Sequence, residues 1–181
     1  IRVFKNENIL EVWLKNNAVF QLFKSYEICY YSGDLGPKLQ QGDSQVPEGF
    51  YYVPPINLNP VSQFHLSFNI GYPNKYDRHH NRTGSAIMVH GDCVSIGCVA
   101  MTDPIIEEIY TLVDAALGNG QAFFRIHIFP FRMTQENMDQ FADPKWNNFW
   151  NNLKEGYDLF EENHIPPNVE LSASGHYTFE P

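Results

Sequence analysis

Basic residues and long apolar runs are both scarce in this sequence, and each absence removes a class of function. Only 12 of the 181 residues are lysine or arginine, against 21 aspartate and glutamate, so the formal charge is −9. Nucleic-acid binding needs a basic surface, and we therefore expect no nucleic-acid partner. No apolar run is long enough to cross a bilayer, so we also expect no membrane span.

Cysteine is scarce as well. The three cysteines, Cys29, Cys93 and Cys98, show neither a metal-ligand spacing nor a disulfide framework, and we expect no metal and no cofactor. An odd number leaves at least one thiol free. Pairing of Cys29 with Cys93 in an oxidising compartment stays open at this point.

The length of the chain fits one domain, residues 1–181, with a sizeable core. The sequence opens directly in a strand-like Ile-Arg-Val-Phe, without a secretory signal. We therefore expect that any export signal was removed or is not included in this chain.

The first half of the sequence has the pattern of short strands separated by turns. We expect strands at residues 1–5, 9–14, 18–23, 28–31, 50–53, 64–69, 86–90 and 122–129. The Asn-Glu-Asn turn between the first two predicts a hairpin. Residues 36–49 and 71–84 are rich in Gly, Pro and polar residues and are predicted loops.

Helices are predicted in the second half. Asp103 and Pro104 begin a run with apolar residues at helical spacing, which a Gly-Asn-Gly sequence ends at Gly118. A second helix is predicted to begin at Asp143 and to carry an aromatic stripe, and a shorter one at 134–141. The pattern predicts an α+β domain with a mostly antiparallel sheet and helices added towards the C-terminus.

The segment 87–101 carries the residues best suited to chemistry. His90 ends a strand-like run, and Cys98 follows a Ser-x-Gly turn eight positions later. A thiol is nucleophilic as its thiolate, and a nearby imidazole is a common way to form one. Gly97 lets the backbone bend sharply beside Cys98. The spacing predicts a cysteine acyl-transfer enzyme, although buried cysteine and histidine are also common in cores.

A resemblance strengthens this interpretation. The sequence Ser95-Ile96-Gly97-Cys98, preceded by a strand ending in His90-Gly91, resembles the signature of the L,D-transpeptidase (YkuD-type) family, and its YafK-like branch in particular. Supporting segments occur in the same order along the chain: CYYSGDLGPK at 29–38, PEGFY at 47–51, FHLSFN at 64–69 and HIFPFRM at 127–133. The resemblance implies a YkuD-like β-sandwich and a periplasmic enzyme that acts on peptidoglycan stem peptides.

The resemblance also implies roles for individual residues. Cys98 would be the nucleophile, His90 the base, and the carbonyl of Gly91 would fix the imidazole tautomer in place of a triad carboxylate. Backbone N–H groups of Gly97 and Cys98 are the expected oxyanion donors.

Four further residues are expected to contact substrate. The family places His65 near the active site, and Ser95 belongs to the motif. Arg125 and Arg132 are candidates for binding stem-peptide carboxylates, because arginine binds a carboxylate through two parallel hydrogen bonds.

Three departures from the family pattern bear on the reaction. Ile96 stands where the motif usually has a second histidine, the gap between His90 and Cys98 is shorter, and an arginine usually found after the cysteine is absent. The lost second histidine and the shorter gap favour hydrolysis over transfer.

The preferred function is cleavage, through a thioester at the L-centre carbonyl of meso-diaminopimelate, of the amide that links a lipoprotein lysine to the wall. The alternatives are an L,D-transpeptidase that forms 3–3 crosslinks or lipoprotein attachments, and a cell-wall binding module without catalysis.

Overall fold

A computed structural model describes residues 1–180. The strands are β1 Arg2–Phe4, β2 Ile9–Asn16, β3 Val19–Glu27, β4 Tyr30–Tyr31, β5 Gly49–Val53, β6 Leu58–Ser62, β7 His65–Asn69, β8 Met88–His90, β9 Val99–Ala100, β10 Phe124–Phe129, β11 Asn168–Leu171 and β12 Tyr177–Glu180. The helices are α1 Lys75–His79, α2 Asp103–Gly118, α3 Gln135–Gln140 and α4 Asn147–Asn163, with a short 3-10 turn at Pro55–Asn57.

The strands form two five-stranded sheets and a small ribbon. The orders are β3-β2-β1-β10-β5 in the first sheet, β4-β9-β8-β7-β6 in the second, and β11-β12 in the ribbon. The pairs β1–β10 and β8–β9 are parallel, and the other pairs are antiparallel. The expected α+β class, with a mostly antiparallel sandwich and most of its helical residues in the second half, is therefore confirmed.

The larger core lies between the two sheets. Successive strand residues point to opposite faces, so alternate residues of each strand enter this core. Ile126 and Ile128 of β10 contribute from the first sheet, Val89 and Val99 from the second, and one face of α2 adds Ile106 among others. A second, aromatic core covers the outer face of the first sheet beneath α4.

Several boundaries differ from the sequence prediction for local reasons. Helix α4 begins at Asn147 rather than Asp143, because Asp143 forms a turn in which its carbonyl accepts the N–H of Trp146 at 2.9 Å. Strand β8 begins at Met88, since Ala86 has a φ of +55°. The predicted loop 71–84 contains α1, whose Asn74 side chain accepts the Asp77 N–H in a capping box.

A disulfide joins Cys29 to Cys93 and leaves Cys98 as the free thiol. The pairing that the sequence left open is thus present, and it attaches the loop after β8 to the segment before β4. Within residues 1–180, no helix is long and apolar enough to cross a membrane.

Candidate active site

Two parallel strands of the second sheet bring His90 and Cys98 to the same face. Val89 pairs with Val99 and both are buried in the core between the sheets. Because side chains alternate along a strand, His90 and Cys98 belong to the opposite face. The strands are short, three residues for β8 and two for β9, but burial of Val89 and Val99 is enough to turn both candidates to the opposite face.

The imidazole of His90 is held by its own neighbour. Its Nδ1 lies 2.6 Å from the carbonyl oxygen of Gly91, and the Phe64 ring lies 4.9 Å from it between centroids. A carbonyl only accepts, so this bond places the proton on Nδ1 and leaves Nε2 as the basic nitrogen. Burial lowers the pKa of His90, and the Gly91 carbonyl and the Asp92 charge offset part of this effect.

The thiol of Cys98 is half-buried against the strand that carries His90. Its Sγ accepts the Met88 N–H at 3.3 Å and lies 3.8 Å from the Ala86 carbonyl. Burial raises the pKa of Cys98, while the Met88 N–H, the Lys38 charge and the Ser95 hydroxyl act in the opposite direction. The resting thiol is therefore neutral at pH 7.

No hydrogen bond joins the imidazole of His90 to the thiol of Cys98 in the part of the chain that the structure describes. Both groups are neutral near pH 7, because their pKa values move away from the charged forms. Catalytic contacts often tighten only when substrate binds. The arrangement suits a neutral imidazole that removes the thiol proton during attack, rather than a resting ion pair.

Two serines hold the turn that presents Cys98. The Ser95 hydroxyl accepts the Cys98 N–H and donates to the Cys98 carbonyl, both at 2.8 Å. The Gly97 N–H donates to the Ser32 hydroxyl at 2.7 Å, and Gly97 itself has a φ of +90°. The expected oxyanion donors, Gly97 and Cys98, are therefore not free in this structure, because each N–H is already bound to a hydroxyl.

Of the residues expected to contact substrate, Ser95 and His65 lie near the two candidates. Ser95 is part of the turn itself. His65 is 39% exposed on β7 beside Gly91, and its Nε2 lies 2.7 Å from Glu107 Oε1 on α2. His65 thus stands at the rim of the site.

Arg125 and Arg132 lie elsewhere, which corrects the expectation that they line the site. Arg125 alternates with the core residues of β10 and points to the outer face of the first sheet, where its Nη2 binds Asn168 Oδ1 at 2.7 Å. Arg132 binds Glu11 Oε1 at 2.5 Å, and its guanidinium lies 4.4 Å from the Phe4 ring. The sequence could not show that β10 belongs to the first sheet, whose outer face lies away from the second sheet.

Lys38 is a cation whose charge reaches the thiol, and the sequence does not single it out. Its Nζ binds Asp43 Oδ1 at 2.5 Å and the Gln40 carbonyl at 3.0 Å, and the residue is 3% exposed. Its stem packs against Gly84, close to the segment that contacts Cys98. The sequence gives no sign of this placement, because 60 residues separate Lys38 from Cys98.

Asp43 organises the loop that carries Lys38. Its carboxylate accepts the backbone N–H groups of Leu39, Gln40 and Gln45 at 2.8 to 3.1 Å. Burial of Asp43 acts to raise its pKa, but these bonds and Lys38 outweigh burial and lower the pKa. These hydrogen bonds fix the conformation of the loop that carries Lys38. Among residues 1–180, no group of three or more His, Cys, Asp or Glu side chains is arranged to hold a metal.

Comparison with known proteins identifies the family of this chain. Residues 1–143 match the model of the YkuD family, described as the L,D-transpeptidase catalytic domain. The chain is 48% identical over 177 residues to the protein YafK of Escherichia coli strain K12 and equally to that of strain O157:H7. Each alignment covers 98% of this chain and 72% of the relative.

A solved structure shares the fold. The crystal structure of the helical cell shape determining protein Pgp2 from Campylobacter jejuni aligns with a TM-score of 0.60 and 17% identity. The alignment covers 95% of this chain and 72% of Pgp2. At this identity the likeness concerns the fold alone.

Proposed function

Because this chain belongs to the YkuD family and is an enzyme of the L,D-transpeptidase class, we propose that it remodels peptidoglycan through a thioester on Cys98. The observation that carries the proposal is the pair of neighbouring strands that places a free thiol and a tautomer-fixed imidazole on one face. In this proposal residues 1–181 form one catalytic domain.

The first half of the reaction forms the thioester. The Nε2 atom of His90 takes the thiol proton as Sγ attacks the L-centre carbonyl of meso-diaminopimelate. The carbonyl electrons move to oxygen, and on collapse the carbon–nitrogen bond breaks. The leaving amine takes this proton from His90. The enzyme then holds an acyl group on Cys98, and His90 is neutral again.

The second half decides between two outcomes. A water molecule that gives its proton to His90 would release a free carboxylate and restore the thiol. An amine acceptor in the same position would instead form a new amide. We propose hydrolysis of the diaminopimelate–lysine amide that anchors a wall-linked lipoprotein, on the sequence ground that Ile96 replaces the usual second histidine. The structure adds that Ile96 is 83% exposed.

The partners follow from this chemistry. The substrate is a peptidoglycan stem peptide, with a lipoprotein lysine as the leaving group. We place the enzyme outside the cytoplasm, in the periplasm, where this substrate lies. The Cys29–Cys93 disulfide supports that location, since such bonds persist in oxidising compartments.

The test uses sacculi that still carry bound lipoprotein, with soluble and wall-bound products read by mass spectrometry. The wild type should release lipoprotein, and Cys98→Ala and His90→Gln should not. Ser25→Ala, an exposed serine on β3 of the other sheet, is the matched control and should behave as the wild type. New 3–3 dimers without release would show transfer, and sacculus binding without any Cys98-dependent product would show a binding module.

A further inference from the structure

The hydroxyl of Ser32 accepts a hydrogen bond from the backbone N–H of Gly97, the residue before Cys98. Ser32 follows β4, and 65 residues separate it from Gly97. Its Oγ accepts the Gly97 N–H at 2.7 Å and donates its own proton to the Ser44 carbonyl at 2.8 Å. The hydroxyl therefore bridges the turn of Cys98 and the loop that carries Lys38.

Thioester formation needs donors at this place. Negative charge develops on the carbonyl oxygen as Sγ attacks, and preorganised N–H groups next to the nucleophile are the usual means of stabilising it. Gly97 and Cys98 supply the N–H groups of the turn, and both are bound to hydroxyls in the resting structure. One of these bonds has to be exchanged if the turn is to receive the oxyanion.

The two hydroxyls differ in what depends on them. Ser95 binds both the N–H and the carbonyl of Cys98, so its release would open the turn that holds the nucleophile. Ser32 comes from a different segment and binds Gly97 through a single acceptor contact. An oxyanion accepts an N–H more strongly than a neutral hydroxyl does. Ser32 is therefore the hydroxyl that can be displaced.

We propose that the Ser32 hydroxyl occupies the Gly97 N–H in the resting enzyme, competes there with the oxyanion, and is displaced by the substrate carbonyl oxygen as the thioester forms. This inference rests on the proposed thioester at Cys98. As the Sγ–carbon bond forms and His90 takes the thiol proton, the oxygen receives the carbonyl electrons and accepts the Gly97 N–H. The Ser32 hydroxyl keeps its proton and its bond to the Ser44 carbonyl.

Two reactions of the same thiol separate this role from a merely structural one. Acylation by p-nitrophenyl acetate passes through an oxyanion, whereas alkylation by iodoacetamide does not. Ser32→Ala removes the competing acceptor without touching Cys98. Because a typical hydrogen bond contributes a modest net free energy, we expect the acylation rate to rise about two- to tenfold. The alkylation rate should stay within about twofold.

Two control variants test whether the effect comes from the Ser32 hydroxyl. Ser32→Thr keeps the hydroxyl and should restore the wild-type rate, and Ser25→Ala should not change either reaction. An unchanged ratio of acylation to alkylation in Ser32→Ala would overturn the inference, and an equal fall of both rates would mark a structural serine. A lowered ratio would also overturn it, because it would show that Ser32 assists acylation. If the wild type is alkylated but never acylated, the proposed thioester fails, and this inference fails with it.

Discussion

His90 ends β8 and Cys98 directly precedes β9, the parallel strand beside it, and burial moves their pKa values in opposite directions, down for the imidazole and up for the thiol. Burial thus favours the neutral form of both the Cys98 thiol and the His90 imidazole. A proton transfer between them creates two charges at once, so the step needs a bound substrate to stabilise it.

The first prediction concerns the pH dependence of the site. Alkylation of Cys98 by iodoacetamide should rise with pH around a midpoint above the ordinary thiol value, because burial raises the pKa of Cys98. Activity should keep its value below pH 6.5, because the lowered pKa of His90 leaves Nε2 basic there. His90→Gln should reduce turnover about 100-fold or more, while its alkylation at high pH stays as in the wild type. Rapid labelling of the wild type at pH 6 would contradict this account.

The second prediction concerns Lys38. Its positive charge lowers the pKa of Cys98, so Lys38→Met should raise that pKa and slow alkylation at pH 8 by at least about twofold. Lys38→Arg keeps the charge and should lie close to the wild type. Rates should be measured with stopped-flow labelling beside a melting curve for each variant. Equal rates for the Met and Arg variants would exclude an electrostatic role.

The third prediction concerns the disulfide. Cys29 and Cys93 are 64 residues apart in sequence, and a crosslink over such a loop stabilises the folded state by about 4 kcal/mol in the chain-entropy model. The double variant Cys29→Ser, Cys93→Ser should lose stability on that order in urea unfolding. Its turnover should also fall, because Cys93 holds the loop between His90 and Cys98. A reductant should lower the stability of the wild type but leave that of the double variant unchanged.

The fourth prediction concerns a buried ion pair. The Glu48 carboxylate binds Lys5 Nζ at 2.9 Å, the Gly36 N–H at 2.7 Å and Trp150 Nε1 at 2.8 Å, and both charged side chains are almost fully buried. Glu48→Gln leaves the Lys5 charge without its partner and should cost about 3–5 kcal/mol of unfolding free energy.

Glu170→Gln is the matched control for Glu48→Gln, because Glu170 pairs with Lys75 on the surface, where an ion pair contributes about 0–1 kcal/mol. Comparable losses for the two variants in urea unfolding would contradict the distinction between the buried and the exposed pair.

The fifth prediction concerns His127, which is buried on β10. Burial, together with nearby positive charges including Arg2 and Arg125, holds the pKa of His127 well below 6.5. The unfolded chain takes up a proton below pH 6.5 and the folded one does not, so stability falls with decreasing pH by about 1.4 kcal/mol per unit. His127→Gln should show a shallower slope between pH 6.5 and 5 in urea unfolding. Parallel slopes would exclude this contribution.

The sequence predicted most elements that carry the site. An apolar run marked the strand ending at His90, and the Asp103-Pro104 start with the Gly-Asn-Gly stop placed α2 to within about one residue, since Thr102 rather than Asp103 is its N-cap. It did not mark β9, because two residues are too short for a periodic pattern. The β11–β12 ribbon was missed as well.

Contacts between segments far apart in the chain could not be predicted from the sequence. Neither the Ser32–Gly97 bond nor the placement of Lys38 leaves a local signal, since each depends on how the loop 32–48 folds back on the second sheet. For Arg125 and Arg132 the residue type suited carboxylate binding, but the fold places both side chains away from His90 and Cys98. The roles of Cys98, His90 and Gly91 stay predictions that the proposed experiments test.

The Cys29–Cys93 bond has a further consequence for damage and repair. With Cys29 and Cys93 joined to each other, residues 1–180 hold no second free thiol to react with an oxidised Cys98. A sulfenic acid formed there has no resolving cysteine among residues 1–180, so its reduction in this part of the chain needs a thiol from another molecule, and further oxidation to the sulfinic acid would be irreversible.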